Sequence, residues 1–327
     1  MTLPRRTVLL ATAALACQGL AAVPAVAQTQ WPESNVRLVV PYAPGGTTDY
    51  AARQIAQKLT EQTGKSFFVE NKTGASGTIG TDLVAKSKPD GATFQVNDTT
   101  YAMLPHLFQK LPWDHDKDLV PVTTLAVTPL VVVVGTNAPY KTAQAFIDFA
   151  RKNPGKANYG SGGVGSSSHL GAELLKQSGK LFITHIPYKG AGDAIRGVMA
   201  SEVDILVTAA PTAIPAVAGG RVRALMVTSA KRLPALPGVP TTAELGLNDF
   251  NATNWFGLAA PKGTPPAVID KLQAEVKKAL TAPDLLKRFA EQGAEPGGMP
   301  SAEFQKFVRE ETQRWGALIR QAGVKPE

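Results

Sequence analysis

Cysteine is almost missing from this chain: Cys17 stands alone among 327 residues. It lies within "MTLPRRTVLLATAALACQGLAAVPAVAQ", a basic start at Arg5 and Arg6, an apolar run, then Ala25-Val26-Ala27. That is the pattern of a secretory signal over residues 1–27, cut before Gln28. It fits Sec export, and the paired arginines leave twin-arginine export open. A lipoprotein box at Cys17 would want Leu three positions earlier, where Ala14 stands. A mature chain without its signal has no thiol, which excludes disulfide and thiolate chemistry. Long apolar runs are missing too: none after the signal reaches the ~18–20 residues of a membrane helix. Aromatics make up only 7% of the chain, and Lys and Arg are scattered despite a net charge of +8. Nucleic acid is therefore not an expected partner, and a basic exported protein handling organic anions is the plainer expectation.

Reactive constellations are scarce as well. The four histidines, His106, His115, His169 and His185, have no metal-ligand spacing, so no metal site is expected. G-x-S-x-G is absent, and no Ser, His and acid stand in a hydrolase frame. A secreted hydrolase is the competing class, without a visible nucleophile–base pair. "GSGGVG" at 160–165 matches G-x-G-x-x-G, but no acid follows in "LFITHIPYKG" where a ribose ligand belongs. "GKS" at 64–66 has Leu59 where a P-loop has Gly. "DHDKD" at 114–118 has Leu119 and Leu125 at the Gly and Glu positions of a calcium loop. No cofactor is expected.

What the chain does have is alternation. Val36, Leu38 and Val40 read as a strand; Ala51, Ala52, Ile55, Ala56 and Leu59 then share a helix face that Gly64 ends. "SFFVEN" and "TFQVND" read as strands around the helix "GTIGTDLVAKSK". The β-branched run "VPVTTLAVTPLVVVVG" follows. A second series then begins, with a helix over 142–152, a strand over 157–159, a helix to about 177, and strands "LFITHIPY", "VDILVT" and "VRALMVTS". Three helices are expected at the end, over 265–280 behind a Thr264 cap, 283–292 and 301–321. The pattern implies βαβ units in two halves, with crossings near 125–135 and 225–256.

Each half carries one strand, Gly-rich loop and helix. In "VVPYAPGGTTDYAARQ" the loop frees the backbone at Gly45 and Gly46, and Thr47, Thr48 or Asp49 can cap the helix. "YGSGGVGSSSHL" repeats the device. Helix N-termini offer unpaired N–H groups and partial positive charge. Glycine turns can add a nest of amides, so a carboxylate can be held without arginine. His169 follows Ser168 at a helix start, where it can touch a ligand or serve the cap. Asp49 or Asp204 could face an ammonium if the ligand were an amino acid; otherwise Asp49 is an N-cap and Asp204 fixes a strand start.

In order, "PYAPGGTTDYAAR", "VENKTGASGTIG", "LPWDHDKDLVPVT", "YGSGGVGSSSHL", "IPYKGAGDAI" and "ALMVTSAKRLPALPGVPTTAEL" resemble the Bug family. Its members are extracytoplasmic solute receptors of tripartite tricarboxylate transporters. The resemblance runs from Trp31 to the C-terminus and departs from the family pattern at Thr73, Ser76 and Leu104. It implies an α/β, two-lobed periplasmic binding protein fold of the Venus-flytrap kind, type II-like, with mixed, mostly parallel sheets and flanking helices. The expected division is residues 28–128 plus 251–327 for lobe 1 and 129–250 for lobe 2. The ligand-binding positions it implies are Tyr42, Gly45, Gly46, Thr47, Thr48 and Asp49, then Ala75, Ser76 and Gly77, with Thr100 and Tyr101. In the second lobe they are Ser161, Gly165, Ser166, Ser167 and His169, with Asp204 and Thr208. The expected protein is a non-catalytic, monomeric, periplasmic receptor that takes a small organic carboxylate to integral membrane permease subunits.

Overall fold

The run Leu119–Gly135 is rich in Val and Thr, the residues that suit a pleated surface buried on both faces. In a computed structural model that describes residues 31–324, it is one 17-residue strand, β4, buried almost throughout. Its first part pairs antiparallel with β9 (Thr253–Pro261), from Leu119↔Pro261 to Pro129↔Thr253. Its second part pairs antiparallel with β7 (Ile205–Ala209) and β8 (Val222–Val227). One strand thus serves both halves of the sheet, as the β-branched pattern implied for a crossing.

The first half adds β1 (Val36–Val40), β2 (Phe67–Asn71) and β3 (Thr93–Asp98), with β1 parallel to both neighbours and β3 antiparallel to β9. The second adds β5 (Asn158–Ser161) and β6 (Thr184–Pro187), with β5 parallel to β6 and β7. The path runs β2-β1-β3-β9-β4-β7-β5-β6, and the two-residue β10 (Glu295–Pro296) also pairs β4. The fold is the expected α/β one with a mixed sheet and flanking helices, but the sheet is not mostly parallel: four strand pairs are parallel and five antiparallel. Its parallel pairs lie toward the two ends, while every pair made by β4 and β9 is antiparallel.

The helices bury the faces that their periodicity marks. In α1 (Thr47–Thr63), Ala51, Ala52, Ile55, Ala56 and Leu59 are buried, and Gly64 ends it at φ 69, the left-handed conformation glycine adopts freely. Further along come α2 (Thr78–Ala85), α4 (Ala143–Lys152), α5 (Ser167–Gly179), α6 (Ala191–Met199) and α7 (Ala210–Ala218). The last three are α8 (Pro266–Leu280), α9 (Pro283–Glu291) and α10 (Ser301–Gln321). Two expectations shift. Thr264 does not cap α8; its hydroxyl donates back to Pro261 O. The unforeseen α3 (Thr99–Leu107) carries Pro105 inside it and is held by Asp98, whose side chain accepts from Thr100 N. The C-terminal helix bridges the sheet: Phe304 and Val308 pack with Trp255 of β9, while Trp315, Leu318 and Ile319 pack with Leu170 and Leu175 of α5. The expected signal and Cys17 lie outside the described residues.

Candidate functional site

Six strand-to-helix junctions meet at one place. Gly46, Gly77, Asp98, Ser166, Gly190 and Ala209 are the N-caps of α1, α2, α3, α5, α6 and α7. All six line a single cavity of about 500 Å³. Topology places them there, because each of these helices follows a strand at its carboxyl end, where α/β folds gather their ligands. Three junctions come from β1–β3 and three from β5–β7.

The amides available differ from those the glycine pattern suggested. In the second loop, Gly162 N donates to Ser168 Oγ (2.8 Å), Gly163 N to Ser161 Oγ (3.1 Å) and Gly165 N to His169 Nδ1 (2.9 Å). That turn satisfies its own donors. Ser166 Oγ caps α5 through His169 N at 3.3 Å. In the first loop, Gly45 adopts φ 81 and donates to Asp49 Oδ2 at 3.0 Å, whereas Gly46 sits at φ −78 and needs no special freedom. With these glycine amides used inside their own loops, a glycine nest is not what the two loops offer, and the donors left to consider are the opening amides of the helices whose N-caps line the cavity.

Of the expected residues, Tyr42, Gly46, Thr47, Thr48, Ala75, Ser76, Gly77, Thr100, Ser166, Ser167 and Thr208 line the cavity. The others stand behind or away from it, each for a physical reason. Gly45 shapes the turn. Asp49 neither caps α1 nor faces the cavity; it accepts from Gly45, from Asn71 Nδ2 (3.0 Å) and from Arg53 (2.9 and 3.0 Å). Burial opposes its charge, but these bonds outweigh it and hold its carboxyl below the usual range. Gly165 lies against Leu107, whose Cδ1 would be 2.0 Å from an added Cβ. His169 is buried, stacked 4.0 Å from His185. Burial lowers these two histidines to about 3 and about 4, so both are neutral at ordinary pH. Ser161 is fully buried and shares a 2.6 Å hydrogen bond with His185 Nε2. Neither residue of this serine–histidine pair lines the cavity. Tyr101 stacks on His115 at 4.4 Å beside a separate cavity of about 260 Å³ near α10. Asp204 accepts from Tyr140 Oη (3.1 Å) and Asn158 N (2.8 Å), which pins the starts of β5 and β7.

Residues not foreseen complete the wall. Tyr188, Gly190, Ala191 and Gly192 bring in α6, Asn254 comes from β9, and Asp98 ends β3. "NDTT" carried an N-cap signature at Asp98, and "KGAGD" paired a Gly cap with a first-turn acid. Asn254 had no local signal, and its Oδ1 is buried without a partner. The charged side chains on the wall are Asp98, Lys189 and Asp193; Asp193 pairs with Arg196 and Lys189 is exposed. No arginine lines the cavity. Two of the lining residues also reach the other half: Thr47 Oγ1 bonds Thr212 Oγ1 at 2.6 Å and Ser76 Oγ donates to Val164 O at 2.9 Å.

Known proteins share this chain's pattern. The family model described as "Tripartite tricarboxylate transporter family receptor" matches residues 51–324. Protein BugT of Bordetella pertussis is 35% identical over 317 residues, 95% of each chain. A solved R. palustris protein with adipate is 35% identical, with a TM-score of 0.87 over 91% of this chain and all of that one. MatC from Rhodopseudomonas palustris with bound malate is 32% identical, with a TM-score of 0.83 over 88% of this chain and all of that one.

Proposed function

Because the chain belongs to the tripartite tricarboxylate transporter receptor family, whose members are periplasmic solute receptors, we propose that it captures a small organic carboxylate in this cavity and carries it to integral membrane permease subunits. The observation that supports this most directly is the convergence of six helix N-termini on one cavity that no arginine lines. Each terminus contributes about 0.3–1 kcal/mol toward an anion, and each hydrogen bond to a charged acceptor about 1.5–3 kcal/mol. A few of both suffice for micromolar binding, about −8 kcal/mol. The adipate and malate bound by the two structural relatives are acids of this kind.

In this reading residues 28–128 with 251–327 form one lobe and 129–250 the other, and the ligand draws them together as a monomeric clamp. Residues 1–27 direct export and are removed, with Sec as the favoured route. Tyr42, Gly46, Thr47, Thr48, Ala75–Gly77, Thr100, Ser166, Ser167 and Thr208 contact the ligand. Gly45, Asp49, Gly165 and His169 shape the loops that do so. The Ser161–His185 pair does not line the cavity and lends no support to a hydrolase.

Calorimetric titration with adipate and malate, with native mass spectrometry of protein taken from cells, tests the proposal. One organic acid per chain is expected. Equal binding of the uncharged dimethyl esters would refute it.

A further inference from the structure

Asp98 is an unexpected neighbour for an anion. It is 6% exposed, caps α3 and lines the cavity. Its Oδ1 accepts from Tyr42 Oη at 3.0 Å and Thr100 N at 2.9 Å; its Oδ2 accepts from Thr48 Oγ1 at 2.8 Å. None of these donors is a cation. Asp49, one residue after Thr48, is by contrast bridged by Arg53. The groups facing Asp98 are Tyr42 from the loop after β1, Thr48 from α1 and Thr100 from α3; Asn254 from β9 shares the wall. Across the cavity stand the exposed Lys189 and an Asp193 already engaged by Arg196.

Bringing a ligand carboxylate into this enclosure sets two negative charges in one poorly hydrated space. Like charges so confined resist ionising together. Resting on the carboxylate reading above, we propose that the cavity takes up its acid anion together with one proton, held by Asp98.

The hydrogen-bond pattern says where that proton sits. Oδ1 faces an obligate donor, the Thr100 amide, so the proton belongs on Oδ2. The Thr48 hydroxyl can turn to accept it, or it can point to the ligand, where an O–H···O⁻ bond is short and strong. Burial already pushes the Asp98 carboxyl above its ordinary range, outweighing its donors. Tyr42 is pushed well above its own range, by burial first and then by Asp98, so it remains a donor. His169 and His185 do not line the cavity, and burial lowers them to about 3 and about 4, below the range where a raised aspartate would act. Protonation at Asp98 and anion binding then favour each other by the same factor, as linkage requires.

The test is calorimetric titration with adipate, and separately malate, from pH 6 to 8.5 in two buffers of different ionisation heat. Ordinary carboxyls of pKa about 4 are ionised throughout that range, so the ligand contributes little slope. Net proton uptake is expected, with affinity falling by up to about tenfold per pH unit above the Asp98 midpoint. Asp98→Asn keeps a good N-cap; it should flatten the profile and bind more tightly than the wild type at pH 8. A flat wild-type profile without proton uptake overturns the proposal. So does a slope that survives in Asp98→Asn, or affinity that rises with pH, as an ammonium-bearing ligand facing ionised Asp98 would give. Failure of both acids to bind would count against the carboxylate reading alone. A carbon-13 titration of the Asp98 carboxyl in the ligand-free protein would then decide this one. Ionisation above the ordinary aspartate range supports it, and ionisation at or below that range overturns it.

Discussion

Gly46→Asp should separate charge from shape in the cavity. Gly46 is the N-cap of α1, with extended backbone at φ −78 and ψ 172. An added Cβ would meet only Ala43 O, at 3.6 Å, an ordinary contact. Aspartate is a preferred N-cap and glycine only slightly worse, so the fold should hold or gain a few tenths of a kcal/mol. The new carboxylate, however, stands at the wall where a ligand carboxylate would be held. At a separation of about 5 Å and an effective dielectric near 20, the repulsion is about 3 kcal/mol, a loss in affinity of more than about a hundredfold. Gly46→Asn supplies the control, with nearly the same volume and cap but no charge. Calorimetry with adipate at pH 8 and low salt reads the affinity, and urea unfolding reads the fold. Equal losses in the Asp and Asn variants would show that the cavity rejects bulk rather than charge, and would refute the helix-terminus account.

Other consequences follow from the same geometry. Thr47→Val with Ser76→Ala removes the hydrogen bonds to Thr212 and Val164; at about 0.5–1.5 kcal/mol each, the unfolding free energy should fall by about 1–3 kcal/mol, and an unchanged urea midpoint would show that these bonds add nothing net. Burial lowers His115 and His185 to about 4 and His169 to about 3 from 6.5. For a base so depressed the unfolded chain binds more protons below 6.5, so stability is lost as pH falls. At pH 5 the loss is about 2 kcal/mol for each group kept fully neutral, less for the partly exposed His115 and His185, and equal urea midpoints at pH 7.5 and 5 would contradict it. Gly165→Ala puts a Cβ 2.0 Å from Leu107 Cδ1 at φ 72, while Gly45→Ala meets nothing within 4 Å at φ 81. The second should cost about 1–2 kcal/mol and the first distinctly more, and equal unfolding midpoints would show that Leu107 yields freely.

The parts of this protein that announce themselves in sequence are those set by side-chain pattern. β4 appears as a β-branched run, α10 as an amphipathic span opened by Ser301, and β3 as "TFQVND", all within a residue or two of their place. The helix α3 was hidden because Pro105 falls inside it and no loop separates it from β3. Of the six junctions at the cavity, two were visible through glycine, threonine and serine, and the "TGASG" turn entered only by family resemblance. The α7 junction passes straight from strand to helix through Ala209 and Ala210, residues with no turn signature. Burial was also illegible. His169 and Ser161 look like ligand contacts one by one, yet both are enclosed beneath the loop they support. Asp204, by contrast, sits at the strand start where the sequence reading set it, accepting from Tyr140 and Asn158.

This division has a reason. The cavity gathers the N-caps of six helices, and the amide that opens a helix is the same in every residue but proline. Sequence can reveal the turn that frees an amide, but only topology reveals that six such starts aim at one volume. The arrangement also bears on release. Three termini come from the junctions after β1–β3 and three from those after β5–β7. On the proposed function, an anion between them would feel all six only while the halves are together. Parting the halves would leave it with three, since terminus effects fade within the first turn. An arginine on one half would keep its full charge on the anion after opening. A carrier that must both grip and surrender its ligand is better served by many weak, divided donors than by one strong cation.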